Sequence, residues 1–232
     1  VASVLVIEDD DRIRLSLVLA LEDEGYTARG TGTAEGGLTS QRDDPADTVL
    51  VDLMLPGIDG FECIRELRRH DDVPVVVISA RNDTHDIVAA LEAGADDYVV
   101  KPVAVKELAA RLRALRRRVR TVVAPAATIV VGDLEIRPQA GEVSLGGRPV
   151  SLTRTEFRLL CELAGHSGLV LSRQQLLERV WEYDYGDVRL VDVHIGRLRQ
   201  KIEDNPGTPT RLVTVRGMGY KLRRYESRRP DR

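Results

Sequence analysis

Residues 1–118 alternate short apolar runs with amphipathic stretches, and the runs end in charged or hydroxyl residues. That pattern leaves few folds open. The runs are Val4–Ile7, Val49–Val51, Val75–Ile78 and Tyr98–Val100, with a weaker one near Tyr26–Thr31. Unbroken apolar runs of this length suit strands buried on both faces. Between them, Ile13, Leu17, Ala20 and Leu21 share one helical face. Phe61, Ile64 and Leu67 share another, and Leu108, Leu112 and Leu115 a third. Ala34–Arg42 is expected to be a poorer helix, because it carries Gly36 and Gly37. Five strands alternating with five helices predict an α/β, doubly wound, five-stranded parallel sheet. Ligands of such a sheet bind beyond the carboxyl ends of its strands.

The second half is organised differently. Val119–Ala127 has no period and carries Pro125, so it reads as a linker. Turn signals at Gly132-Asp133, Gln139–Gly141 and Gly146-Gly147 predict a small antiparallel sheet over residues 128–152. Thr153-Arg-Thr-Glu156 and Ser172-Arg-Gln-Gln175 both fit the capping box, in which side chains satisfy the free N–H groups of a helix's first turn. A third helix begins near Arg189 and ends by Pro206, which cannot continue it. Thr210–Val215 and Tyr220–Leu222 flank Arg216-Gly-Met-Gly219, a hairpin. The expected organisation is therefore 1–118, a linker at 119–127, a second domain at 128–225 and a tail at 226–232.

Charge divides at the same place. Residues 1–118 hold 15 Lys+Arg against 23 Asp+Glu, a net −8, and residues 119–232 hold 19 against 14, a net +5. An acidic half joined to a basic half suggests two tasks, the second involving a polyanion. Cys63 and Cys161 form no CxxC pair, which argues against a zinc ribbon or a disulfide scaffold and fits a reducing cytoplasm. No apolar run nears the roughly 20 residues of a membrane span, and no secretory signal is expected.

The strand ends carry the chemistry. Glu8 and Asp9 follow the first strand and Asp52 the third, so their carboxylates converge on one sheet edge. Clustered carboxylates repel unless something offsets their charge, and a hard divalent cation such as Mg²⁺ (or Mn²⁺) does so. Lys101, before Pro102, adds a positive charge at that edge, and Ser79 adds a hydroxyl. The set suits phosphoryl transfer, in which positioning and charge neutralisation do most of the catalysis. Asp52 is the expected nucleophile, because it stands alone after Val49–Val51 and points one way. The alternative is that these acids merely cap helices, as Asp10 and Asp11 are placed to do.

The helix near Arg189 also reads from geometry. Val191, Ile195, Leu198 and Ile202 form a stripe that should face the core. The opposite face carries Arg189, Val193, Gly196, Arg197 and Gln200, with Arg199 and Lys201 at its sides. That face fits a major groove, where arginine binds guanine O6/N7 and an apolar group meets a thymine methyl. The alternative is an ordinary solvated basic helix. Two helices before it and a hairpin after it suggest a winged helix, with Arg216 at the tip for the minor groove. As isolated residues, Trp181 reads as core, with an indole N–H that could reach a phosphate, and His194 as a surface or satisfied histidine rather than a ligand.

Val6-Ile-Glu-Asp-Asp10, Val51-Asp-Leu-Met-Leu-Pro-Gly57, Ser79-Ala-Arg81 and Gly94-Ala-Asp-Asp-Tyr-Val-Val-Lys-Pro102 resemble the receiver domain of two-component response regulators, a flavodoxin-like fold. Leu152-Thr-Arg-Thr-Glu-Phe157, Leu171-Ser-Arg-Gln-Gln-Leu176, Val191-Asp-Val-His-Ile195 and Thr214-Val-Arg-Gly-Met-Gly-Tyr220 resemble the α+β winged helix-turn-helix output domain of the OmpR/PhoB family. The resemblance implies a DNA-binding transcriptional regulator whose Asp52 accepts a phosphoryl group from a sensor histidine kinase. Mg²⁺ would be held by Asp9, Asp52 and the carbonyl of Met54, with Glu8 acting through water. Lys101 would bind a phosphoryl oxygen. Ser79 would move toward the phosphoryl group while Tyr98 turns inward. Catalysis would be limited to the chain's own phosphoryl transfer and dephosphorylation. Arg197 and Val193 would meet bases. Arg189, His194, Arg199, Trp181, Thr214 and Tyr220 would touch phosphates, and Arg216 would reach the minor groove. Glu182–Asp187 matches the loop that contacts RNA polymerase in this family. A phosphorylated homodimer would form through Glu92, Asp97, Glu107, Arg111 and Arg113.

Three positions depart from the family pattern. Gly196 and Ile87 stand where basic residues are common, and Val103 where an aromatic is usual. With Ile87 unable to pair with Glu107, the dimer would rest more on Asp97–Arg111 and Glu92–Arg113. A rival reading is a haloacid dehalogenase-type phosphatase, but that chemistry wants a second acid two residues after the nucleophile, and position 54 is methionine. A second rival is a regulator that binds DNA without phosphorylation.

Overall fold

The computed structural model describes residues 1–116, 128–182 and 187–224. The linker 119–127, the tail 226–232 and the interior of Glu182–Asp187 fall wholly or in their central part outside these residues. The chain divides into two compact units, Val1–Arg116 and Arg117–Arg232.

In the first unit, strands β1 (Ser3–Ile7), β2 (Thr27–Thr31), β3 (Thr48–Val51), β4 (Val75–Ser79) and β5 (Asp97–Val100) alternate with helices α1 (Asp11–Asp23), α2 (Ala34–Asp43), α3 (Gly60–His70), α4 (Thr84–Ala93) and α5 (Val105–Arg116). The sheet is wholly parallel in the order β2-β1-β3-β4-β5. This is the doubly wound sheet expected from the apolar runs. Val4, Ile7, Val49, Val51, Val75 and Val77 are all fully buried. Ile7 registers with Val51, Val51 with Val77, and Ser79 with Val100, so the carboxyl ends share one edge. The order reverses between β1 and β3, which is where such sheets bind ligands.

Two elements differ from the sequence pattern for packing reasons. Helix α2 forms despite its glycines, because Gly37 lies against β1, where a Cβ would stand 2.2 Å from Ile7 Cδ1. Of the four α1 residues grouped on one face, Leu21 is buried while Ile13 is exposed. Helix α1 rests on the edge strand β2, where Gly30 accepts the stem of Arg14 and the side chain of Val18. A Cβ on Gly30 would meet Arg14 Cγ at 2.7 Å.

The second unit opens with an antiparallel sheet of β6 (Ile129–Val131), β7 (Leu134–Arg137), β8 (Glu142–Leu145) and β9 (Arg148–Pro149). Helices α6 (Arg154–Gly165), α7 (Arg173–Trp181) and α8 (Arg189–Ile202) follow, then the hairpin β10 (Leu212–Val215) and β11 (Gly219–Leu222). Both capping boxes form, at Thr153 with Glu156 and at Ser172 with Gln175. Gly219, at φ +142°, is required by a close approach, since a Cβ there would stand 2.1 Å from the Leu171 carbonyl oxygen.

Glu203, just after α8, anchors the hairpin. Its carboxylate accepts N–H bonds from Thr210, Arg211 and Leu212 at 2.6–3.1 Å. Burial works to raise its pKa, but these backbone donors outweigh it and hold the value below the ordinary one. A depressed carboxylate pKa adds stability above the unfolded-state pKa, and that stability is lost as pH falls through the folded value. The second unit should therefore weaken on acidification below the ordinary glutamate range. Urea midpoints measured between about pH 3 and 6 should fall less steeply for Glu203→Gln than for the wild type.

Candidate functional site: the acidic edge and the winged helix

The acidic edge assembles as the strand ends predict. Glu8 and Asp52 are buried and Asp9 is exposed. One carboxylate oxygen from each lies within 4.8 Å of the others. Lys101 reaches in from the end of β5, its Nζ donating to Glu8 Oε2 and Asp52 Oδ2, each at 2.6 Å. Burial disfavours the Lys101 ammonium, but its bonds to Asp52 and Glu8 outweigh that and raise its pKa. Burial also raises the pKa of Glu8, against the opposing pull of Lys101. The N–H of Met54 donates to Asp52 Oδ1 at 3.2 Å. Helix α3 presses on the same strand end, because Gly60 has no side chain; a Cβ would meet the Asp52 carbonyl oxygen at 2.2 Å.

The capping alternative describes the neighbouring acids. Asp10 caps α1, accepting from the N–H groups of Arg12 and Ile13, and Asp59 and Asp83 cap α3 and α4. Glu8 and Asp52 cap no helix; they face Lys101. The donor set of Glu8, Asp9 and Asp52 is all carboxylate oxygen, which fits a hard divalent cation such as Mg²⁺ and no soft metal. Sequence reasoning missed Arg14, whose guanidinium donates to the carbonyls of Glu8 (2.6 Å) and Asp9 (3.3 Å) and pairs with Asp11. It fixes the backbone that carries both acids. The glycines at 30 and 32, which make room for it, were the signal available.

Ser79 is fully buried at the end of β4. The family resemblance has Tyr98 turning inward on activation. Here its ring is already in, 8% exposed, with the hydroxyl donating to the Arg81 carbonyl at 2.7 Å.

The expected dimer residues pair within one chain. Arg111 bonds Asp97 Oδ2 at 3.1 Å and Glu107 at 2.8 Å, and Asp97 is wholly buried. Arg113 lies 3.5 Å from Glu24 rather than beside Glu92, which is exposed.

In the second unit the α8 stripe of Val191, Ile195, Leu198 and Ile202 is buried, but so are Leu190 and His194. The core-facing side thus extends to the flank that carries Leu190 and His194. Three residues expected at phosphates, Trp181, His194 and Tyr220, are buried. Trp181 and His194 are both 0% exposed and stack edge to face, centroids 5.1 Å apart, so neither side chain offers a surface to DNA. The reading of Trp181 as core describes its place in the structure. Tyr220 is also buried. Its hydroxyl donates to Asp192 at 2.7 Å and accepts from Arg173 at 3.2 Å, and burial, then Asp192, push its pKa up to about 12.

Arg197 is drawn to the flank of α8, with its guanidinium 2.8 Å from Glu156 Oε1 on α6. What remains outward is Arg189, paired with Asp187, half-buried Val193, Gly196 with open space beside it, and exposed Gln200. Arg199 donates to the Leu212 carbonyl and to Thr214 Oγ1, each at 2.9 Å, which ties α8 to the hairpin. Thr214 and Arg216 are exposed on that hairpin.

A doubly wound unit with an acid–lysine edge, followed by a winged helix, defines a DNA-binding regulator controlled through its first unit. The comparisons agree. Residues 4–113 match the family model "Response regulator receiver domain", and 147–222 match "Transcriptional regulatory protein, C terminal". The transcriptional regulatory protein AfsQ1 of Streptomyces coelicolor is 49% identical over 95% of this chain and 97% of its own length. The DNA-binding response regulator MtrA of Mycolicibacterium smegmatis is 45% identical over 94% and 95%. Among solved structures, a mutant of RitR aligns over 97% of this chain and 100% of its own, with TM-score 0.76 and 26% identity. The chain belongs to the OmpR/PhoB family of two-component response regulators and is a DNA-binding transcriptional regulator. No helix among the described residues is long and apolar enough to cross a membrane.

Proposed function

We propose that Asp52 takes a phosphoryl group from a sensor histidine kinase in the cytoplasm and that this controls promoter binding by the second unit. The reading rests on one observation, the Lys101 ammonium 2.6 Å from two buried carboxylates at the sheet's switch point. An Asp52 oxygen bonds to phosphorus as the phosphorus–nitrogen bond of the donor histidine breaks. Lys101 moves from Asp52 to a phosphoryl oxygen and keeps its bond to Glu8. Asp9, Asp52 and the Met54 carbonyl would hold Mg²⁺ (or Mn²⁺), with Glu8 acting through water, and the ion would supply charge neutralisation. Water later cleaves the acyl phosphate in the same pocket, which returns Asp52 to its free form.

The new charge of about −2 draws Ser79 inward, and Tyr98 keeps the inward position held by Arg81. Dimerisation through α4, β5 and α5 exchanges the Asp97–Arg111 pair within a chain for the same pair between chains. Asp97 is wholly buried, so the exchange has to break a buried pair before remaking it across the interface. Two linked output units bind a repeated site more tightly, because the second contact is intramolecular. Half-sites lie about 10 bp apart. Arg189, Val193, Arg197, Arg199, Thr214 and Arg216 face the DNA, and Glu182–Asp187 meets RNA polymerase. The functional division is 1–118 for the receiver, 119–127 for the linker and 128–225 for the output domain.

Incubation with acetyl phosphate and Mg²⁺ should add one phosphoryl group by intact mass, and EDTA should prevent it. An unchanged mass with Mg²⁺ present overturns the reading.

A further inference from the structure

We propose that Glu156 is a positioning residue that sets DNA specificity: it is a buried carboxylate that Arg197 has to give up before it can engage a base. This rests on the reading that α8 enters the major groove with Arg197 as a base contact.

Glu156 projects from the first turn of α6 and is 0% exposed. Oε1 lies 2.8 Å from Arg197, while Oε2 accepts from Lys201 Nζ at 2.6 Å and from the Thr153 N–H at 2.9 Å. Arg197 and Lys201 are four residues apart, so they stand on one side of α8, and a single carboxylate from the neighbouring helix serves both. The Arg197 side chain is only 12% exposed. A second guanidinium nitrogen lies 3.5 Å from His194 Nε2. A carbonyl can only accept, so His194 Nδ1, 2.8 Å from the Leu190 carbonyl, is the donor there. Burial works to raise the pKa of Glu156, but Arg197 and Lys201 outweigh it and keep the carboxylate ionised.

Releasing Arg197 costs an ion pair with a buried carboxylate whose Oε1 has no hydrogen-bond donor among the described residues, and the cost is the same on every DNA sequence. Only a guanine presenting O6 and N7 at the right position offsets it with a bidentate pair. On other sequences Arg197 stays with Glu156 and its charge is not available to phosphates. Lys201 makes release possible at all, because it keeps a cation on Glu156 once Arg197 has left. The pair thus discriminates by withholding the Arg197 charge from sites that lack the guanine.

The test is a double-mutant cycle on the full-length protein, with Glu156→Gln, Arg197→Gln and both together. The probes are a duplex selected by the wild type from a random library and an unselected duplex, titrated across salt by fluorescence anisotropy. Glu156→Gln should tighten unselected DNA about tenfold and steepen its log–log salt slope by about 1–2, as one or two cations become available. The ratio of selected to unselected affinity should fall. In the double variant the unselected affinity should return to near the wild-type value. An unchanged slope and ratio in folded Glu156→Gln overturns the proposal, since a merely structural residue shifts Tm alone. The underlying reading fails separately, if Arg197→Gln weakens both duplexes equally. Should Glu156→Gln not fold, Lys201→Met supplies the test. Among the described residues it leaves Glu156 with Arg197 as its one remaining side-chain cation, so selected-site affinity should fall by more than unselected affinity, and equal losses overturn the proposal.

Discussion

Asp52→Asn should abolish phosphoryl incorporation from acetyl phosphate, and Lys101→Ala should slow it by about 10²–10³-fold. The two variants fail for different reasons. Asparagine keeps the shape of Asp52 and its place beside Lys101, but has no ionised oxygen to bond to phosphorus. Removing Lys101 leaves that nucleophile intact and takes away the charge that neutralises the developing phosphoryl oxygens. It also leaves Glu8 and Asp52 buried with no ammonium 2.6 Å away. Loss of one partner from a buried pair typically costs about 3–5 kcal/mol. The site is reachable by solvent, with Lys101 17% exposed, so the lower end is expected. Mg²⁺ should restore part of that stability in Lys101→Ala, because it offsets the same charge. Intact-mass time courses with and without Mg²⁺, beside thermal unfolding, separate the effects. Wild-type labelling rates in Asp52→Asn would place the nucleophile elsewhere.

The acidic edge was legible because its geometry follows from strand periodicity. Once Val4–Ile7, Val49–Val51, Val75–Ile78 and Tyr98–Val100 are parallel strands, the residues after them share an edge whatever the loops do. Glu8, Asp52, Ser79 and Lys101 needed no further information. The neighbourhood of that edge was harder to read. Arg14 is seven residues beyond β1, and only its fit over Gly30 places its guanidinium on the Glu8 and Asp9 carbonyls. Tyr98 and the Asp97–Arg111 pair depend on side-chain rotamers, which sequence spacing does not encode.

The output unit shows the same limit from the other side. The stripe of α8 gave four of its six buried residues and missed Leu190 and His194, because a helical wheel treats the partner surface as uniform. Here one side of the helix meets a buried acid. Glu156 reads as the third residue of a capping box, and it does bond the Thr153 N–H. The same carboxylate draws Arg197 and Lys201 onto α6. A face that looked outward by periodicity therefore lost its central arginine to a contact between helices.

Trp181 gives the sharpest contrast between the two ways of reading this unit. As a phosphate contact it should tolerate no loss of its indole N–H, and as a core residue it should tolerate no loss of volume. It closes α7, is 0% exposed, and sits edge-on to His194 of α8 with an interplanar angle of 75°. Trp181→Ala should destabilise the second unit by about 3–5 kcal/mol, through lost burial and the cavity left behind. That is a large share of the stability of a small domain, so thermal unfolding should show this unit melting well below the wild type. Trp181→Phe removes the N–H but keeps an aromatic edge for His194 and most of the volume. Its cost should be smaller, and at a temperature where it is folded its DNA affinity and salt slope should match the wild type. A slope shallower by about 1 in folded Trp181→Phe would mean that the indole leaves the core to meet DNA, because a phosphate contact and a counterion are lost together.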